Sequence, residues 1–202
     1  MGRARTLLAL AAAGTIGVSY WWRKNPSACP YSQRFWVEAP HPFITRKRLL
    51  AALEPRPGER ILEIGPGTGY YSFEIAGSLG EGTLEIFDIQ PEMLDHVMRE
   101  AERRSVTNIE STQGDAQALP FEDGSFDGAV LVAVLGEIPD QERALREIAR
   151  VLMPGGRLVV GEIFGDPHMV TSGKLRERAA RAGLDFEQRL GSPLAFFARF
   201  RK

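Results

Sequence analysis

The sequence is short of the residues that build covalent or metal-held frameworks. Of its 202 residues one is a cysteine, Cys29, so an intramolecular disulfide framework and any multi-cysteine metal site are excluded. The three histidines, His41, His96 and His168, are scattered without ligand spacing, and no metal is expected. Internal repeats and low-complexity tracts are absent. Acidic residues are missing from the start of the chain: residues 1–48 hold eight basic side chains against Glu38 alone, a net charge of +7, which leaves −8 on residues 49–202. An acidic body lacks the basic face of a nucleic-acid binder, and no nucleic-acid partner is expected.

What is present fits one globular domain with a substantial core plus an additional segment, at 44% hydrophobic and 25% charged residues. Thr6 to Trp22 is a 17-residue run without a charge, bracketed by Arg3 and Arg5 before it and by Arg23 and Lys24 after it. Its apolar residues surround a helix instead of forming a stripe, and Tyr20, Trp21 and Trp22 stand where an interfacial aromatic belt would anchor. Residues 1–24 therefore read as a membrane-anchor helix, with the membrane as partner through residues 6–22. A cleaved signal peptide and a helix packed on the domain or a partner are the alternatives. Counting Arg46, Lys47 and Arg48, the positive excess puts the domain on the cytoplasmic side. Residues 25–44, with four prolines and the aromatics Tyr31, Phe35 and Trp36, read as a linker or lid.

From residue 45 onwards strand-like and helix-like segments alternate. Thr45 caps a short helix through Leu53, which Pro55, Pro57 and Gly58 terminate. Strands are expected at Ile61–Ile64, Leu84–Asp88, Asn108–Thr112, Phe126–Val134 and Gly156–Glu162, with helices near Tyr70–Leu79, from Pro91, at Asp140–Leu152 and at Ser172–Ala182. Phe186–Leu190 and Ala195–Phe200 suit a closing hairpin. Such alternation implies an α/β domain over residues 45–202 with a doubly wound parallel sheet.

In such a sheet ligands sit beyond the carboxyl ends of the strands, near the switch in strand order. Four features fall at such ends. The first strand meets Gly65, Gly67 and Gly69, where backbone can approach a ligand closely. Asp88 ends the second strand 23 residues after Gly65, a separation at which a carboxylate accepts from ribose hydroxyls. Asp115 follows the third strand and can accept from an exocyclic amine such as that of adenine. The fourth strand ends near Leu131 to Leu135, before Gly136 and Glu137.

The succession Glu63-Ile64-Gly65-Pro66-Gly67-Thr68-Gly69, Phe87-Asp88-Ile89-Gln90-Pro91, Gly114-Asp115-Ala116 and Leu152-Met153-Pro154-Gly155-Gly156 resembles the motifs of class I S-adenosylmethionine-dependent methyltransferases, over about residues 45 to 200. The resemblance implies a seven-stranded, mostly parallel, Rossmann-like sheet whose last strand is antiparallel. It implies S-adenosylmethionine as cofactor, with Gly65, Gly67 and Gly69 at the methionine part, Asp88 at the ribose and Asp115 at the adenine. Glu63 matches the acid that begins the first motif. Ile89 and Ala116 would contact the adenosine, and backbone near Leu131 the amino-acid end. Many quinone methyltransferases of this kind carry a histidine pair after strand four, where this chain has Gly136 and Glu137.

A nicotinamide fingerprint would place its third glycine at residue 70, where Tyr70 stands. Methyl transfer needs a base only if the nucleophile arrives protonated, and the candidates are Glu137, Glu162, His168 and Tyr70. The expected acceptor is a small molecule, lipid-like if the anchor holds the site at a membrane. The alternative function is a non-catalytic, membrane-associated cofactor-binding or scaffolding module.

Overall fold

A computed structural model of the chain describes residues 27–31 and 43–202. Along the body the order is α1 (Arg46–Leu53), β1 (Arg60–Ile64), α2 (Ser72–Ser78), β2 (Thr83–Asp88), α3 (Pro91–Arg103), β3 (Ile109–Gln113), β4 (Phe126–Val132), a 3-10 turn (Leu135–Glu137), α4 (Gln141–Val151), β5 (Leu152–Ile163), α5 (Ser172–Arg181), β6 (Asp185–Ser192) and β7 (Ala195–Arg201). The seven strands form one sheet in the order β3-β2-β1-β4-β5-β7-β6. All neighbours from β3 to β5 pair in parallel, while β7 runs antiparallel to both β5 and β6. The expected sheet and its antiparallel closing strand are thus present. The expected anchor helix at residues 1–24 lies outside the described residues, as does most of 25–44. Among the described residues no helix is long and apolar enough to cross a membrane.

Local chemistry accounts for the boundaries. The Thr45 hydroxyl accepts from Arg48 N–H at 3.3 Å to cap α1, and Pro91 opens α3, where a missing N–H costs nothing. The Asp140 carboxylate accepts from Arg143 N–H at 2.9 Å to start α4. Strands β1, β2 and β4 are buried on both faces and mostly apolar, with Glu63 and Glu85 among them, whereas β3 and β6, at the sheet's edges, are largely exposed or half-buried.

Side-chain alternation divides the core into two layers. Leu62, Ile64, Ala129 and Leu131 face α4 and α5, packing with Leu145, Ile148 and Leu175. Ile61, Ile86, Val130 and Val159 face α1, α2 and α3, packing with Leu49, Ile75 and Val97. Three boundaries differ from the sequence reading. The turn keeps Tyr70 and Tyr71, so α2 starts at Ser72. β4 stops at Val132 because Ala133 turns left-handed at φ +55°. β5 starts at Leu152, which pairs with Phe126 ahead of a register shift that leaves Pro154 and Gly155 looped out.

The base of α1 is fastened by buried Arg157. Its guanidinium pairs with the Glu59 carboxylate and donates to the Leu53 and Glu54 carbonyls. Because α1 carries Ile44 at its other end, this pin also fixes one wall of the site described below. Arg157→Ala leaves half-buried Glu59 without its cation and the Leu53 and Glu54 carbonyls without their donor, and is expected to lower the unfolding free energy by roughly 2–4 kcal/mol. Urea denaturation checks this, and a loss below about 1 kcal/mol, the worth of an exposed pair, contradicts it.

Candidate functional site

The strand order reverses between β1 and β4, and a cavity of about 640 Å³ opens at the carboxyl ends of the strands there. Its floor is the turn after β1. Gly65, Gly67 and Gly69 all have positive φ (69°, 56° and 84°), a conformation that side chains with a Cβ resist. At Gly65 a Cβ would also collide with Val134, so only glycine lets this turn close against the β4 exit. Gly65 and Gly67 line the cavity, whereas Gly69 sits behind them against Phe73 and Val97.

On one side stand Asp88, Ile89 and Met93 from the β2 exit, and Asp115 and Ala116 from the β3 exit. Asp88 is buried. Its Oδ1 accepts from Gln90 N–H at 2.9 Å, and burial raises its carboxyl above the usual range against that bond. Asp115 is exposed and accepts from Gln117 N–H at 2.9 Å, a turn that holds its carboxylate at the wall. The opposite wall is Val132, Ala133 and Val134 with Glu137. Leu131 is fully buried in register with Ile64 and does not line the cavity, so the wall begins one residue later, at Val132.

The four base candidates separate. Tyr70, Glu137 and His168 line the cavity; Glu162 lies beneath it, wholly buried on β5. Glu137 Oε2 accepts from Cys29 N–H at 3.2 Å, and burial, reinforced by the charges of Asp166 and Asp88, pushes its carboxyl up to about 8. Glu162 Oε2 accepts from Val170 N–H at 3.1 Å, while Oε1 has no hydrogen-bond partner; burial pushes this carboxyl also to about 8, aided by Asp166 and Glu137. Tyr70 lies under the Arg46 guanidinium, 4.1 Å from the ring centre, which suits a covering role. His168 donates its backbone N–H to Asp166 Oδ1 at 2.7 Å. Glu63 stays below the glycine turn, buried, with one carboxylate oxygen unpartnered and its carboxyl pushed up to about 7 by burial.

Three contributors lie outside the residues singled out for the site, the first of them within the segment 25–44 read as a linker or lid. Residues 27–31 cross the cavity, with Ser27, Ala28 and Cys29 lining it. Gln90 holds this strap through its side-chain amide, which accepts from Tyr31 N–H at 3.2 Å and donates to Cys29 O at 3.0 Å. Asp166 faces Glu137 from a Gly-Asp-Pro turn that signals only a loop. Ala133 carries left-handed strain with no signal in its residue type. Among the described residues no group of three or more histidine, cysteine, aspartate or glutamate side chains is placed to hold a metal ion.

Residues 62–160 match the family profile described as a methyltransferase domain. The chain is 36% identical over 126 residues to the ubiquinone/menaquinone biosynthesis C-methyltransferase UbiE of Ruegeria sp. (strain TM1040), covering 62% of this chain and 50% of that protein. It is 41% identical over 123 residues to the protein of the same name from Vibrio cholerae, covering 59% and 46%. The chain thus spans about half the length of the curated relatives it matches. A solved SAM-dependent methyltransferase from Aquifex aeolicus aligns with a TM-score of 0.78 at 16% identity over 86% of this chain and 98% of that one, a likeness of fold.

Two outcomes follow from the site's packing and charge. A Cβ at Gly136 would run into the His168 carbonyl, so Gly136→Ala forces the two loops apart and is expected to destabilise by about 1–3 kcal/mol in denaturant titration; unchanged stability contradicts the close approach. Glu162 has a native pKa of about 8 against an ordinary 4.5, so between those values the unfolded chain ionises while the native state keeps its proton. Stability contributed below pH 4.5 is therefore lost as pH rises through about 8. Glu162→Gln, neutral throughout, should flatten this fall in the urea midpoint, and a slope equal to that of the wild type would refute the assignment.

Proposed function

The chain belongs to the class I S-adenosylmethionine-dependent methyltransferases, and from that premise we propose that it methylates a small lipophilic acceptor bearing an ionisable ring hydroxyl, with Glu137 as the base. One observation carries the reading: Glu137, a half-buried carboxyl pushed up to about 8, opens into the same cavity as Asp88 and the glycine turn. The residues present fit the cofactor. The Gly65 cradle has no room for a Cβ, the Asp88 carboxylate suits paired ribose hydroxyls, and Ile89 and Ala116 offer apolar cover to a flat base beside Asp115. When bound, S-adenosylmethionine supplies the methyl group on a sulfonium, whose departure as a neutral thioether needs no acid.

The protein's work is then to orient the acceptor, exclude water and remove one proton. Oε2 of Glu137 is occupied by Cys29 N–H, which leaves Oε1 to take the acceptor's hydroxyl proton. A carboxylate with a pKa near 8 is a far stronger base than an ordinary one, and a useful fraction is ionised near neutrality. Apolar walls at Ile44, Ile64, Phe87, Val132, Val134 and Ile138 leave little polar surface to hold water around the reacting atoms.

The relatives named as quinone C-methyltransferases support a quinol-like acceptor, since a ring carbon becomes nucleophilic when its hydroxyl is ionised. Glu137 would fill the proton-accepting role at a position where many such enzymes carry histidine. A screen of quinols and simple phenols with methyl-labelled cofactor tests the acceptor class. Cofactor binding without transfer to any of them would leave the non-catalytic module. With an accepted substrate, Glu137→Gln is expected to slow transfer by roughly 10²–10⁴-fold while cofactor affinity stays unchanged. The wild-type rate should rise with pH through about 8 and level off above it, because the ionised form acts. An unchanged rate in the variant would remove Glu137 as the base.

A further inference from the structure

We propose that the rim of the cavity is a lipid-docking surface, seating the mouth against an anionic membrane so that the acceptor enters from the lipid. The acceptor part of this inference rests on the function proposed above; the docking surface rests on independent observations.

Among the described residues the exposed large hydrophobic side chains are Phe43, Ile89, Phe164 and Leu194, at 60%, 55%, 71% and 58% exposure. One of the four is cavity wall, and the other three adjoin wall residues in sequence or pair with a neighbour that does. Ile89 lines the cavity itself. Phe43 adjoins Ile44, and Phe164 lies between Ile163 and Gly165, all three of which are cavity wall. Leu194 is tied to that point by its carbonyl, which accepts from Phe164 N–H at 2.6 Å. Ile44 and the Ala195 that follows Leu194 are buried in the same core layer, against which Ile163 packs. Single exposed apolar residues need no explanation, but four that each lie on or next to the wall of one cavity do.

Charge identifies what covers them. Arg46, Lys47 and Arg48 are exposed on the first turn of α1 beside Phe43, and that turn holds no acidic residue. Cations at a helix N-terminus oppose the helix dipole; Arg46 is answered within the fold by Glu74 at 3.6 Å and by the Tyr70 carbonyl, whereas Lys47 and Arg48 face no carboxylate among the described residues and suit an anionic surface outside it. Arg48 Nη1 donates to Phe43 O at 2.6 Å, which holds the guanidinium and the aromatic residue at the same edge.

Chain length supplies the third argument. The uncharged run Thr6–Trp22 ends five residues before Ser27, which lines the cavity. Five residues extend to at most about 18 Å, so the uncharged run is tethered within that reach of the cavity wall at Ser27. Apolar side chains for the acyl boundary, cations for the headgroups and a short tether fit a lipid surface better than a protein partner.

The test is amide hydrogen exchange of the full chain with and without vesicles of phosphatidylcholine and phosphatidylglycerol. Docking predicts at least about fivefold slower exchange on vesicles at residues 43–48, 163–166 and 192–195, with no change at 153–157 at the opposite end of β5. In Phe43→Ser/Phe164→Ser/Leu194→Ser this protection should disappear even where residues 6–22 keep the chain on the vesicle. A chain that binds vesicles with its rim exchanging as in solution overturns the proposal, as does a chain that ignores vesicles. Slowing that grows with protein concentration in the absence of lipid also overturns it, by assigning the rim to a second copy. Calorimetry with S-adenosylmethionine on the same preparations keeps the readings apart. An unprotected rim in a protein that binds the cofactor removes the docking surface alone, whereas absent binding removes the function on which the acceptor route rests.

Discussion

The site depends on two backbone approaches that tolerate no side chain. Gly65 lets the β1 turn close on Val134, and Gly136 lets the 3-10 turn close on the His168 carbonyl. Together they draw the exits of β1, β4 and β5 around one cavity and bring Glu137, Asp166 and the glycine turn to its wall. A methylene at either point would push these loops apart, and close-packed interiors absorb such displacements poorly. The left-handed Ala133 is part of the same arrangement, since it ends β4 early enough for Ala133 and Val134 to leave the sheet and join Val132 in the wall. The strap of residues 27–31 is then latched across the top by Gln90 on one side and Glu137 on the other.

This arrangement gathers carboxyl groups where water cannot relax around their charge. Glu63, Glu137 and Glu162 have pKa values pushed to about 7, 8 and 8, chiefly by burial, and Asp166 and Asp88 are raised for the same reason. Each raised group makes the native state less stable as pH rises from its ordinary value to its raised one. A fold that needed only stability would place apolar residues there. Retaining protonatable groups around a mostly apolar cavity is what proton removal from a bound acceptor requires. The cost is offset elsewhere by the double-layered core and by Arg157, whose guanidinium finds both a carboxylate and two carbonyls.

Much of the fold was legible because its signals are local and repeated. Alternating apolar runs and helical faces located every strand and helix of the body, and Thr45, Pro91 and Asp140 marked helix starts through their own chemistry. The glycine turn, Asp88 and Asp115 were legible because they fall at strand ends with fixed spacing, Ala116 only through the resemblance to the methyltransferase motifs, and all but Gly69 line the cavity. Registers were harder to read. Leu131 and Val132 look alike in an apolar run, and only the left-handed turn at Ala133 decides which of them reaches the cavity. Glu137 and Glu162 looked equivalent as carboxylates after strands, yet the pleat buries one beneath the cavity and leaves the other on its wall. The strap contact was illegible, because it joins residues 61 and 108 positions apart through side-chain amide and carboxylate bonds with no periodic trace.

The account stands on one cavity serving as a nucleoside cradle at the β1 and β2 exits. Calorimetric titration of S-adenosylmethionine into the wild-type protein and into Asp88→Ala tests that most directly. The account predicts saturable one-to-one binding to the wild type and a loss of about 1–3 kcal/mol in the variant, from removal of a charge-assisted hydrogen bond to the ribose. Absence of binding to the wild type, or equal affinity in the two proteins, would contradict it.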